Sequence, residues 1–291
     1  MIGNPIQAST VVIDFYEVLN DALKARKMYY QAFKVTNADV ELPMVDTDSP
    51  TSLSDVRLVD HDYILVREGN AASEVLADNY SVRLEMDIGG ATVAFDRGFV
   101  IVDVEVKGQD YRFVSTHLEV RGAEGSVFRI VQSAQMVELL LTLDSFSNIS
   151  PKPVILVGDF NSSPTDVPGT YGSLQYIPPY LLATDPSYML ALYPYEYSGR
   201  YYLDTWLEQK KYDDGFTDGF DEFVSDPTAI LHSRIDLIFL DPHDLVLDKV
   251  SCDVVGDQVS DMVPNPNDPG SDLWPSDHAG VVGDIKLKFR K

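Results

Sequence analysis

Residues 154–164 read VILVGDFNSSP. Pro153 in front, four apolar residues from Val154 to Val157 and a stop at Gly158 predict a buried strand. Asp159 and Asn161 follow that strand end, where a sheet fixes the backbone and the loop exposes the side chain. Upstream, a helix is predicted from about Ser126 to Leu143. Before it, strands at Phe99 to Val106 and Tyr111 to Ser115 join through a turn around Lys107, Gly108 and Gln109, which reads as a hairpin. Downstream, strands are predicted at Ile235 to Leu240, Leu245 to Val254 and Val281 to Phe289. Tyr63 to Arg67 is a further strand near the start.

Residues 11–27 set Val12, Phe15, Tyr16, Leu19 and Leu23 at spacings of three and four, with acids early and Lys24, Arg26 and Lys27 late. This predicts an amphipathic helix packed on a sheet. The stretch 162–232 scatters tyrosines among prolines and glycines and reads as an insertion or long loop region. Residues 253–277 are acidic and proline-rich, and read as a solvated loop. With neither repeats nor a low-complexity linker, residues 1–291 read as a single domain.

The 291 residues carry 22 Lys plus Arg against 46 Asp plus Glu, a net charge of −24. That balance opposes non-specific attraction to a polyanion, which rests on basic residues displacing counterions. One cysteine, Cys252, excludes an intramolecular disulfide and a cysteine-rich zinc site. The longest apolar runs fall far short of the roughly 20 residues a membrane helix requires, which points to a soluble protein. No signal peptide is visible at the start, and the compartment stays open.

Three further segments place a polar group at or beside a strand end: Ser115-Thr116-His117-Leu118-Glu119, Ser233-Arg234-Ile235-Asp236-Leu237-Ile238-Phe239 and Ser276-Asp277-His278. Taken singly, each has a structural reading: a histidine after a strand satisfied within the core, an aspartate beside glycine serving a turn. In this order, VILVGDFNSSP, SRIDLIF and WPSDHAGV resemble the signature of the endonuclease/exonuclease/phosphatase superfamily, which includes deoxyribonuclease I and exonuclease III. The resemblance covers roughly residues 11–291. It implies an α/β fold, a two-sheet β sandwich flanked by helices in four layers (α/β/β/α), and a divalent-metal-dependent phosphoester hydrolase.

The resemblance also implies roles. Asp159 orients or deprotonates the attacking water, and Asn161 offers an amide donor to the phosphate or the leaving oxygen. His278 contacts the scissile phosphate, Asp236 pairs with it and fixes its tautomer, and His117 is the second phosphate-contacting histidine. Asp277 is the carboxylate on the side of the metal, Mg2+ or else Mn2+ or Ca2+. The net charge of −24, not the resemblance, favours a small-molecule or lipid-headgroup phosphoester over duplex DNA, with a nuclease whose basic residues cluster locally as the other reading. Arg97 and Arg234 are the arginines beside these segments and either could reach a phosphate; Arg97 reads first as a surface arginine paired with a carboxylate, Glu119 as a structural acceptor, and Tyr202 and Trp206 as core or loop anchors.

One part of the family pattern has no counterpart. Family members begin with an asparagine-bearing strand and a strand ending in Gln-Glu, whose glutamate is the principal metal ligand. Here Gln7 is followed by Ala8, and Glu17 lies inside the amphipathic helix. The chain therefore reads as starting downstream of that motif. Two expectations follow: magnesium affinity lowered by at least about tenfold, and an unpaired sheet edge open to edge-strand dimerisation. The alternative reading is a catalytically impaired fragment that keeps the scaffold as a binding or structural module.

Overall fold

A computed structural model describes residues 8–46, 49–88, 91–209 and 213–289; Gln7 lies outside them. Helix α1 (Phe15–Ala25) precedes a ribbon of β1 (Tyr30–Asp46) and β2 (Ser49–Arg67), then β3 (Ala72–Asn79) and the pair β4 (Leu84–Ile88) and β5 (Ala91–Phe95). Next come β6 (Gly98–Val106), β7 (Gln109–His117), α2 (Val127–Ile149) and β8 (Val154–Asp159). The stretch read as loop contains β9 (Gly169–Tyr171), β10 (Leu174–Tyr176), α3 (Pro179–Thr184), α4 (Pro186–Leu192), β11 (Leu203–Asp204) and α5 (Thr205–Glu208). The chain continues through β12 (Asp236–Asp241), β13 (Leu245–Val255), β14 (Val263–Pro264), β15 (Asp272–Leu273) and β16 (Gly280–Phe289).

Six strands form the central mixed sheet in the order β11-β12-β8-β7-β6-β3, with β7 and β8 parallel and the other neighbours antiparallel. Lys107 and Gly108, at φ 55° and 81°, make the two-residue turn that joins β6 to β7. Strand β6 is apolar on both faces because both are covered. Phe99 and Ile101 join the core under α2 with Met136, Leu139 and Leu156. Val100, Val102 and Val104 pack against Phe33, Val35 and Val66 of the β1–β2 ribbon.

The second ribbon, β13 with β16, covers the same face of the sheet farther along. A Cβ on Gly283 would meet Ile238 of β12 at 2.9 Å, so that glycine lets the ribbon close down. The α/β fold with a second β layer and flanking helices is therefore present. The α1 expectation needs correction. Tyr16 stacks on Tyr63 of β2 at 4.9 Å, yet no α1 residue is buried, and Phe15 and Val18 stay 76% and 59% exposed. The apolar stripe exists and stacks its Tyr16 ring on the ribbon, but it leaves Phe15 and Val18 exposed rather than packing them onto the sheet.

Gly158 sits at φ 151° inside β8, where a Cβ would stand 1.8 Å from the carbonyl oxygen of Thr116. Neither the conformation nor the space admits a side chain. Gly158→Ala is expected to cost about 3 kcal/mol or more, measured by urea unfolding; an unchanged midpoint would show that the β7–β8 register relaxes freely.

Candidate active site

The sheet order brings three of the expected residues into one row. Parallel strands β7 and β8 deliver their C-terminal ends to the same rim, and antiparallel β12 delivers its first residue there. In register, His117 stands opposite Asp159 and Asp159 opposite Asp236. Residues in register on neighbouring strands share a face, so all three side chains lie on the ribbon side. His278 reaches the row from the loop that leads into β16.

The contacts are short. The Nδ1 of His278 lies 2.9 Å from Asp236 Oδ2, and its Nε2 lies 3.7 Å from Asp218 Oδ1. The Nε2 of His117 lies 3.3 Å from Asp159 Oδ2 and 3.3 Å from the Asn161 amide. Asn161, at φ 48°, folds back so that its backbone N–H donates to Asp159 Oδ1 at 2.7 Å and its side-chain amide donates to Leu118 O at 3.2 Å. The turn is fixed from below by Gln132 of α2, whose amide donates to the carbonyls of Glu119, Phe160 and Asn161.

Electrostatics separate the groups. Burial, then the charge of Asp236, pushes the Asp159 carboxyl up to about 7. The hydrogen bond that His278 donates to Asp236 raises it to about 9, so its imidazolium is the stable form at neutral pH. His117 moves the other way, to about 4, through burial and then the Arg97 charge. The rim thus combines a carboxyl that ionises near neutrality, a protonated imidazole and a neutral one. Pairs pushed apart in this way mark acid and base assignments.

The sequence profile described as "Endonuclease/Exonuclease/phosphatase family" matches residues 80–278, more than half of the chain. The chain belongs to the endonuclease/exonuclease/phosphatase family. No curated protein sequence matches it. Among solved structures it is similar to a mannosyl-6-phosphatase from Bacteroides thetaiotaomicron VPI-5482, at 15% identity and a TM-score of 0.52, over 94% of this chain and 90% of that one. It is also similar to an endonuclease/exonuclease/phosphatase family protein from the same species, at 15% identity and a TM-score of 0.51, over 94% and 86% of the two chains. At such identities the likeness concerns the fold.

Side-chain atoms of Asp159, Asp236 and His278 lie within 4.8 Å of one another; with His278 protonated and bonded to Asp236, the two carboxylates are the members of that trio suited to a cation. Asp277 is exposed, accepts the Ser276 hydroxyl at 3.1 Å and stands outside that trio. Arg234 is buried and locked by two bonds to Asp204, at 3.0 and 2.6 Å. Glu119 is buried and accepts the Val120 N–H at 3.0 Å, while Tyr202 and Trp206 are core residues.

Sequence reading passed over several groups at this rim. Asp218 joins through isolated bridges to Ser233 and His278, which leave no periodic signal. Asp60 and Asp62 of β2 approach through Asn37 of β1, whose amide lies 3.4 and 3.0 Å from their carboxylates. Burial pushes Asp62 up to about 6. The alternation of charge in Asp60-His61-Asp62, directly before an apolar strand, was the available hint. Arg97 lies 3.2 Å from His117 Nδ1 and 3.4 Å from its Nε2, closer than to its carboxylate partners Glu119 at 3.7 Å and Asp60 at 4.0 Å.

Proposed function

We propose that this chain hydrolyses phosphoesters with a divalent ion, on a small-molecule or lipid-headgroup substrate rather than duplex DNA. The observation that carries the reading is the row His117, Asp159, Asp236 with His278 bonded to Asp236 at 2.9 Å. Phosphoester hydrolysis needs a water that loses a proton, neutralisation of the phosphoryl oxygens and help for the departing oxygen. Asp159, held near neutrality, orients the water and takes its proton. His278 uses Nδ1 on Asp236, which leaves Nε2–H to donate to a phosphoryl or leaving oxygen. Asn161 and His117 supply further contacts to the phosphoryl group.

The donor set fits an oxygen-loving ion. Asp159 and Asp236 would supply two carboxylates to it, and Asp277, exposed on the loop beside His278, is the third candidate. The ion's contribution is positive charge against the phosphoryl oxygens. That charge is needed, because the rim gathers Asp60, Asp62, Glu119, Asp159, Asp218 and Asp236 around Arg97 and His278. Six carboxyl groups against two cations repel an anionic substrate unless some of their charge is offset. The net charge of −24 makes a long polyanion a still poorer ligand.

The test is turnover of a nitrophenyl phosphodiester and a nitrophenyl phosphomonoester, in magnesium and after chelation with EDTA. Hydrolysis of at least one substrate is expected, with a loss of at least about a hundredfold on chelation and recovery when magnesium is restored. Absence of turnover on both substrates, or a rate indifferent to EDTA, sinks the metal-dependent reading.

A further inference from the structure

Arginines in this acid-rich chain find carboxylates. Arg57 reaches Asp39 at 2.6 Å, Arg112 reaches Asp103 at 2.9 Å, Arg200 reaches Asp241 at 2.7 Å and Arg234 reaches Asp204 at 2.6 Å. Arg97 does not. Its nearest carboxylate oxygens, on Glu119 and Asp60, stand at 3.7 and 4.0 Å, beyond a hydrogen bond. Its Nε is buried without a partner among the described residues, and so is Oε2 of Glu119. A buried donor left unmade carries its full desolvation cost.

What the guanidinium touches is an imidazole edge. Arg97 Nη1 lies near both ring nitrogens of His117, and a guanidinium has only donors, so at most one of those contacts is a hydrogen bond. In the tautomer that places hydrogen on Nε2, His117 accepts from Arg97 at Nδ1 and keeps its Nε2 3.3 Å from Asp159 Oδ2. The arrangement holds the cation beside the catalytic row without committing its fork. Arg97 remains 17% exposed, directly before β6, and its backbone carbonyl is fixed by the N–H of Tyr80 at 2.9 Å.

We propose that Arg97 is the phosphoryl-binding residue of this site, resting on His117 in the free chain and giving its fork to two non-bridging oxygens when a phosphoester enters. The inference rests on the hydrolase reading above and adds the residue that selects for an anion. Planar bidentate recognition is what a guanidinium offers a phosphate, and a lysine replaces only its charge. Arg234, the other arginine of the flanking motifs, has already spent its fork on Asp204.

The experiment is calorimetric titration of inorganic phosphate in magnesium buffer into the wild-type chain, Arg97→Gln and Arg97→Lys. Arg97→Gln is expected to weaken binding by at least about tenfold, the loss of one charge-assisted bond. Arg97→Lys should fall between, and both variants should melt within about 4 °C of wild type. For a hydrolysed phosphodiester, KM should rise with the same ranking while kcat changes less. Phosphate affinity unchanged in Arg97→Gln, or no phosphate binding by the wild type, overturns the proposal. A chain that binds phosphate through Arg97 but hydrolyses nothing refutes the hydrolase reading alone; one that hydrolyses with KM and phosphate affinity indifferent to Arg97 refutes this inference alone.

Discussion

His278→Gln is expected to lower kcat by about a thousandfold, within the range of a lost positioned acid, with little change in fold. The side chain stands on the loop before β16 and is half-buried, so its removal opens no core cavity. Asp236→Asn should cost nearly as much, because it leaves the 2.9 Å contact with His278 Nδ1 but removes the charge that favours the imidazolium. The double variant should be no slower than the worse single one, since residues that act as a unit are not additive. Costs that multiply in the double variant would show that Asp236 and His278 act separately.

The same pair carries a stability signature, read in EDTA. His278 is raised in the fold from 6.5 to about 9, so the fold binds its proton more tightly than the unfolded chain. The sign follows from linkage: the contribution is complete below pH 6.5 and disappears as pH climbs through about 9. Asp236→Asn should therefore lower the melting midpoint more at pH 6 than at pH 10. An equal loss at both values would mean that the imidazolium is not what Asp236 stabilises.

Most of the central sheet could be read from residues because its signals are local. The turn at Lys107 and Gly108, the apolar run after Pro153 and the apolar strand after Arg234 each declare themselves within ten positions. Strand β8 extends two residues beyond the apolar run, because Gly158 and Asp159 stay paired with Leu237 and Asp236. The β1–β2 ribbon was legible only at Tyr63 to Arg67. Farther out, Leu58, Val56 and Met44 are 67%, 48% and 54% exposed, so neither face shows a clean alternation. In the region 162–232 the buried Tyr180, Tyr197, Tyr202 and Trp206 sit on segments too short to show a period.

At the site, residues standing at strand ends were legible and those approaching through space were not. His117, Asp159 and Asp236 follow from motif and strand position. Arg97 gives no local signal of its meeting with His117, because that meeting depends on the β6–β7 register, which sets Thr116 opposite Phe99. Asp218 reaches the rim through isolated bridges that leave no pattern in the sequence, and Asp62 from a ribbon whose only local sign is the charge alternation Asp60-His61-Asp62.

Asp159→Asn is the other change of large effect, and it should move activity and stability in opposite directions. An asparagine oxygen can still accept the Asn161 N–H, now at 2.7 Å, so the turn should survive. Burial raises the Asp159 carboxyl from 3.8 to about 7, so ionising it in the fold costs more than in the unfolded chain. The wild type therefore loses stability at this position as pH rises from about 4 to 7, and the variant lacks that loss while keeping those of its other groups. Its melting midpoint in EDTA should exceed that of wild type at pH 8 and match it near pH 4. The most direct measurement is the magnesium-dependent hydrolysis of a phosphodiester by wild type and Asp159→Asn purified side by side. A rate about a thousandfold lower in a variant at least as heat-stable as wild type is the expected result. Equal rates in the two preparations would contradict the assignment of hydrolysis to this row of residues.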